Sequence, residues 1–259
     1  MLLISCLVGI SLMQKIVFEL CAESVDACLA AHAGGAHRIE LCTALSEGGL
    51  TPSHGLLREA VRKSGLPVHV LIRPRGGDFV YTPAEMHVMQ EDLKYSRSLG
   101  ASGVVLGLLH ADGTVDTEQT RHFVELAGSL EVTFNRAFDH TESQEQALED
   151  VIAAGCRRVL TSGGEPDVVR GAESLARLVS QAAGRIDVAV GGGLRLNNAA
   201  AIARTTGARH FHGSLRSRIP SPMLYRGPGM LEDEGPSTDT RFIVDSRDVR
   251  QMIENLSNA

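Results

Sequence analysis

Lysine is almost missing from this chain of 259 residues: only Lys15, Lys63 and Lys94 occur. Cationic recognition therefore falls to arginine, whose planar fork suits carboxylates and phosphates. Basic runs are missing as well, and the net charge is −6; this excludes the positive footprint needed to track nucleic acid or an anionic membrane surface. Cys6, Cys21, Cys28, Cys42 and Cys156 contain no CxxC pair. Their odd number and wide spacing exclude a dense secreted disulfide scaffold and a zinc ribbon, and point to the reducing cytoplasm. No Pro/Ser-rich linker divides the chain, so a single domain is expected.

Two mechanisms lack their nucleophile. No lysine sits at a strand end for Schiff-base chemistry, and no GxSxG elbow is present for serine hydrolysis. The opening MLLISCLVGISLM is apolar but too short to span a bilayer, and it lacks the positive flank and cleavage site of a signal peptide. Residues 1–12 are read as a disordered extension or as the product of an upstream start, with Met13 the alternative first residue. Residues 13–259 are read as one domain.

What is present is a repeat: a short apolar or alternating run, a polar loop, an amphipathic stretch of about ten residues, then glycine. It predicts strands at Ile16 to Cys21, Arg38 to Cys42, Val68 to Arg73, Gly103 to Leu109, Glu131 to Asn135, Arg158 to Thr161, Ile186 to Val190 and Arg209 to Gly213. Eight strands alternating with helices predict an α/β fold closed as a (β/α)₈ TIM barrel. The rival open doubly wound sheet lacks its glycine-rich first turn, since Ala22-Glu23-Ser24 stands there. Gly34, Gly65, Gly100, Gly128, Gly155, Gly184 and Gly207 are the expected helix stops. Thr82-Pro83-Ala84-Glu85 reads as a capped helix start, with Asp116 and Ser143 as weaker caps. Residues 218–259 are expected to be irregular until a last helix at Val244 to Leu256.

Strand alternation assigns Phe18, Leu20, Ile39, Leu41, Val68, Val70, Ile72 and Phe211 to the helix-facing side. The interior then receives Glu19, Cys21, Glu40, Cys42, His69, Arg73, Thr133, Asn135, His210 and His212. Burying carboxylates requires partners, and Arg73 is the expected one for Glu19 and Glu40. Glu-Leu-Cys occurs at 19–21 and again at 40–42 on neighbouring strands, so two thiols can approach each other. They fit Cu(I), which tolerates two soft ligands, and they fit equally well as small buried hydrophobes. His210 and His212 share a face beside the first strand and read as ligands, as acid and base, or as core histidines.

Loop residues complete the candidate mouth. Arg73 and Arg75 before Gly76-Gly77-Asp78 form a donor-rich lip for an anion, and Arg136 and Asp139 extend the rim. Ser162-Gly163-Gly164, Gly191-Gly192-Gly193 and Gly213-Ser214 bring backbone N–H groups to the loops where barrel enzymes bind phosphate.

At these motifs the chain resembles the copper homeostasis protein CutC family. The resemblance rests on Phe18-Glu-Leu-Cys21 with Ser24, Gly34-Gly-Ala-His-Arg-Ile-Glu-Leu-Cys42, Glu47-Gly-Gly-Leu-Thr-Pro-Ser53, Ile72-Arg-Pro-Arg-Gly-Gly-Asp-Phe79, Thr133-Phe-Asn-Arg-Ala-Phe-Asp139, Leu160-Thr-Ser-Gly163, Gly191-Gly-Gly193 and His210-Phe-His212. It runs from about Met13 to Arg218. It implies a cytosolic barrel acting as a homo-oligomer, dimer or tetramer, and Cu(I) bound through Cys21 and Cys42. Asn135 stands where the family pattern has histidine, and an amide cannot exchange protons near neutral pH.

Two functions are therefore expected to compete. One is Cu(I) binding in copper homeostasis, with Cys21 and Cys42 as ligands and His210 or His212 close by. The other is an enzyme for an anionic or phosphorylated small molecule. In that case Arg73 and Arg75 hold the anion, Glu19 or Glu40 and a histidine exchange protons, and Asp78, Asn135, Arg136, Asp139, Ser162, Gly192, Gly193 and Ser214 contact the ligand.

Overall fold

The computed structural model describes residues 16–225 and 240–259. The expectation for residues 1–12, and most of the one for the Gly/Pro-rich stretch after residue 218, lie outside the described residues. Eight parallel strands close into a barrel in sequence order: β1 (Val17–Ala22), β2 (Arg38–Leu41), β3 (Val68–Leu71), β4 (Gly103–Leu106), β5 (Glu131–Phe134), β6 (Arg158–Thr161), β7 (Asp187–Gly191) and β8 (His210–Gly213). β8 pairs with β1, with Phe211 opposite Phe18.

The surrounding helices are α1 (Val25–Gly34), α2 (His54–Lys63), α3 (Pro83–Ser98), α4 (Thr117–Ala127), α5 (Gln144–Ala154), α6 (Ala172–Ala182), α7 (Ala199–Thr206) and α8 (Ser246–Ser257). The architecture is the (β/α)₈ TIM barrel. Among the described residues, no helix is long and apolar enough to cross a membrane.

Local chemistry explains most boundaries. Thr82 and Glu85 form a reciprocal capping box around Pro83 at the start of α3. Asp116 and Ser143 cap α4 and α5 by accepting from Gln119 N and Gln146 N. β3 ends earlier than its apolar run suggests, because the chain leaves the ladder for a side-chain partner. Arg73 N donates to Thr51 Oγ1 at 2.9 Å.

Two expectations need correction. Gly34 is the last residue of α1 rather than its left-handed stop; Gly35, at φ 86°, takes that turn. Gly34 is glycine for a different reason: a Cβ there would lie 2.4 Å from Val249 Cβ of α8 and 2.6 Å from Ser246 O. The described residues after β8 also hold regular structure where an irregular path was expected. β9 (Arg216–Pro220) and β10 (Thr240–Val244) form an antiparallel pair, and α8 starts at Ser246, capped by Asp245.

The barrel wall has two unlike faces. Phe18, Leu20, Ile39, Leu41, Val68, Val70, Ile72 and Phe211 pack outward against the helices, as alternation requires. The inner face holds a small apolar cluster, Cys21, Cys42, Leu71 and Val105. Beneath it lie buried Glu19, His69, Thr133 and Arg158.

Candidate functional site

The inner polar residues form layers set by strand register. Glu19 faces Arg38 across β1–β2 and His212 across β1–β8, while Cys21 faces Glu40. Glu19 is 1% exposed and accepts from Arg158 Nη1 at 2.6 Å. Its other oxygen lies 2.8 Å from His212 Nδ1. The expected pairing of Glu19 and Glu40 with Arg73 is not made. Arg73 donates instead to the carbonyls of Glu47, Gly49 and Gly77, because it lies beyond the end of β3, above the carboxylates.

Arg158 was missed by the sequence reading, although the alternation that turned Glu19 inward also turns the first residue of β6 inward. The two carboxylates of the floor consequently behave differently. Burial favours the neutral form of both, but Arg158 and His212 outweigh it at Glu19 and hold that carboxyl well below its ordinary range. Glu40 has no such close partner. Burial, against the pull of His212 at 3.9 Å and with the help of neighbouring Glu19, pushes it up, and its Oε2 is buried without a hydrogen bond. His212 is held above its usual value: burial opposes the charge, and Glu40 and Glu19 overcome it.

The two thiols meet at the cavity floor. Cys21 Sγ and Cys42 Sγ are 3.5 Å apart and unbridged, and Cys21 Sγ lies 3.9 Å from Glu40 Oε1. The contact with Cys42, burial and the nearby carboxylates all push the Cys21 thiol up. Donor atoms of Cys21, Glu40 and His212 lie within 4.8 Å of one another. His210, expected beside them, belongs to a lower layer. Its Nε2 is 3.6 Å from Asp187, since residues two apart on a strand share a face but differ in height. Burial pushes His210 and His69 down to about 4, so both are neutral imidazoles near pH 7.

A cavity of about 560 Å³ opens above this floor. Cys21, Glu40, Arg73, Asn135, Arg136, Gly192, Gly193, His212 and Ser214 line it, together with Leu194, Arg195 and Leu215. Cys42 lies behind Cys21 and is fully buried. Arg75 and Asp78 are not at the lining: Arg75 bonds Glu85, Asp78 and the carbonyl of Val80, which ties the β3 loop to the start of α3.

Arg136 donates through Nε to Asp139 and through Nη2 to Ser162. Asp139 in turn accepts from Thr161 Oγ1 and the amides of Ser162 and Gly164, fixing the loop after β6. Asn135 caps the short 3₁₀ turn Arg136–His140 by accepting from Ala137 N at 2.9 Å. A Cβ at Gly107 would lie 2.1 Å from Asn135 Oδ1, so that side chain needs glycine next to it.

Comparison with known proteins agrees with this geometry. The CutC family model matches residues 16–217. A CutC family protein of Chromobacterium violaceum is 48% identical over 248 residues, covering 95% of this chain and 100% of that one. One from Vibrio cholerae serotype O1 is 44% identical over 241 residues, covering 92% of this chain and 95% of its own. Among solved structures, a Streptococcus agalactiae protein described as a copper homeostasis protein CutC superposes with TM-score 0.73 at 34% identity, covering 77% of this chain and 99% of that one. Thiamine phosphate pyrophosphorylase of Pyrococcus furiosus, at 14% identity and TM-score 0.57, shares the fold alone. The family model spans the whole barrel and relatives match along nearly their full length, so the chain belongs to the CutC family.

Proposed function

We propose that the chain binds Cu(I) at the barrel floor through Cys21 and Cys42 and serves copper homeostasis in the cytoplasm. The observation that carries this reading is the 3.5 Å separation of two unbridged sulfurs. Cu(I) is a soft ion content with few ligands, and His212 supplies a third donor within reach. Glu40 Oε2, buried without a hydrogen bond beside His212, is an oxygen donor at the same spot. Both thiols bind as thiolates, so the ion displaces protons and affinity rises with pH. Anaerobic Cu(I) titration against a chromogenic chelator tests it. Cys21→Ser and Cys42→Ser should each abolish one-to-one binding; unchanged stoichiometry in both variants overturns the reading.

A second reading, acid–base catalysis on a small anionic molecule, is favoured by a different observation. Glu19 orients His212 through Nδ1 while Glu40 is pushed the opposite way from Glu19. Paired groups with diverging proton affinities at a cavity floor are the arrangement that acid–base chemistry uses. The cavity is also far larger than one ion needs. Thermal-shift screening of an anionic metabolite library on wild type and Glu40→Gln tests this reading. It fails if no ligand stabilises the protein in a Glu40-dependent way.

A further inference from the structure

One wall of the cavity carries donors that the fold does not use. The amides of Gly193, Leu194, Ser214 and Leu215, all residues of the cavity lining, donate to no acceptor among the described residues. Arg136 joins them. Its Nε and Nη2 are held by Asp139 and Ser162, which leaves Nη1 unassigned. The bare backbone of Gly192, at φ 104°, passes under this guanidinium; a Cβ there would come within 3.4 Å of Nη1. The arginine is thus braced on two sides and lines the same cavity as these amides.

The lining holds unsatisfied groups elsewhere too. Glu40 and Arg73 are each 5% exposed, and Glu40 Oε2 and Arg73 Nε have no hydrogen-bond partner, His212 Nδ1 standing 3.9 Å from the former. Buried polar atoms left open at a cavity are expected to be completed by what enters it. One is an acceptor on the floor and the other a donor near the rim, so the occupant must offer both kinds of group.

We propose that the wall formed by the β7–α7 and β8–β9 loops binds the phosphate of a phosphorylated small molecule, whose hydroxyl-bearing end reaches Glu40. A phosphate monoester presents three terminal oxygens, enough acceptors for four amides and a guanidinium, whereas a carboxylate would leave donors idle. The anion anchor therefore lies on Arg136 and the late loops, not on Arg73 and Arg75, whose forks are committed to the loop after β3. The inference rests on the second reading for its chemistry, but binding can be measured apart from turnover.

The test titrates inorganic phosphate into the full chain at constant ionic strength, following thermal stability and the backbone amide resonances. Saturable stabilisation is expected, with resonance shifts concentrated at Gly193, Leu194, Ser214 and Leu215. Arg136→Gln should weaken the affinity at least tenfold. The amide shifts in wild type report the site even if that variant loosens the β6 loop. No saturation, shifts elsewhere, or unaltered affinity in Arg136→Gln overturns the proposal. Phosphate binding without turnover of any phosphorylated metabolite supports this site and counts against catalysis. A Glu40-dependent ligand lacking phosphate, with the four amides silent, overturns this site and leaves catalysis standing.

Discussion

Replacing Arg158 with methionine removes the positive partner of Glu19 while keeping an unbranched side chain across the barrel. Both members of the pair are 1% exposed and 2.6 Å apart, so the variant leaves a buried carboxylate facing only His212. Breaking one partner of a buried ion pair costs about 3–5 kcal/mol. Glu19→Gln should cost a similar amount, because it strands a guanidinium whose Nε and Nη2 already lack partners. The double variant Glu19→Gln/Arg158→Met removes both charges and should be no less stable than either single one.

The deficit of Arg158→Met also depends on pH in a defined direction. In the wild type Glu19 is held low, so its contribution is present at neutral pH and fades as pH falls below its unfolded value of about 4.5. Without Arg158, burial raises this carboxyl instead. Taking up a proton then favours the folded state, so the deficit narrows between pH 7 and pH 5. Urea denaturation of the four proteins at both pH values gives the full cycle. Single variants each costing under about 1 kcal/mol, or a double variant costing their sum, would refute the account of the barrel interior.

Other outcomes follow from the same geometry. His69 is held neutral down to about pH 4, whereas its unfolded imidazole takes up a proton near 6.5, so acid pulls the chain toward the unfolded state. Moving from pH 7 to pH 5 should cost on the order of 2 kcal/mol at this residue, and His69→Gln should show a visibly shallower pH dependence in urea melts. Gly34→Ala drives a methyl into Val249 and the Ser246 carbonyl; overpacking of this kind costs about 1–3 kcal/mol. Amide hydrogen exchange should show α8 deprotected first, and unchanged protection there would contradict the close α1–α8 approach.

Much of the barrel was legible because period-two alternation exposes which strand face is polar. That rule placed Glu19, Cys21, Glu40 and His212 inside, and the repeated Glu-Leu-Cys placed the two sulfurs together. It could not say which charges would meet across the barrel. Arg158 reaches Glu19 over 139 residues of sequence, and no local pattern encodes that contact. Arg73 and Arg75 illustrate the converse. Their composition suggested an anion clamp, but carbonyls and acids within the neighbouring loops compete for their donors, and loop backbone geometry is not written in residue type. Gly34 was recognised as a required glycine for the wrong reason: the requirement comes from a helix more than 200 residues away.

Closure of the wall between β1 and β8 joins the first and the last barrel strand to be made. Until β8 leaves the ribosome, β1 keeps one unpaired edge and β7 another, and the carboxylate of Glu19, whose arginine is already made with β6, still waits for its imidazole. An emerging chain of this kind is sticky along two rims and electrostatically unfinished inside. That last seam is where slow closure exposes strand edges to other chains.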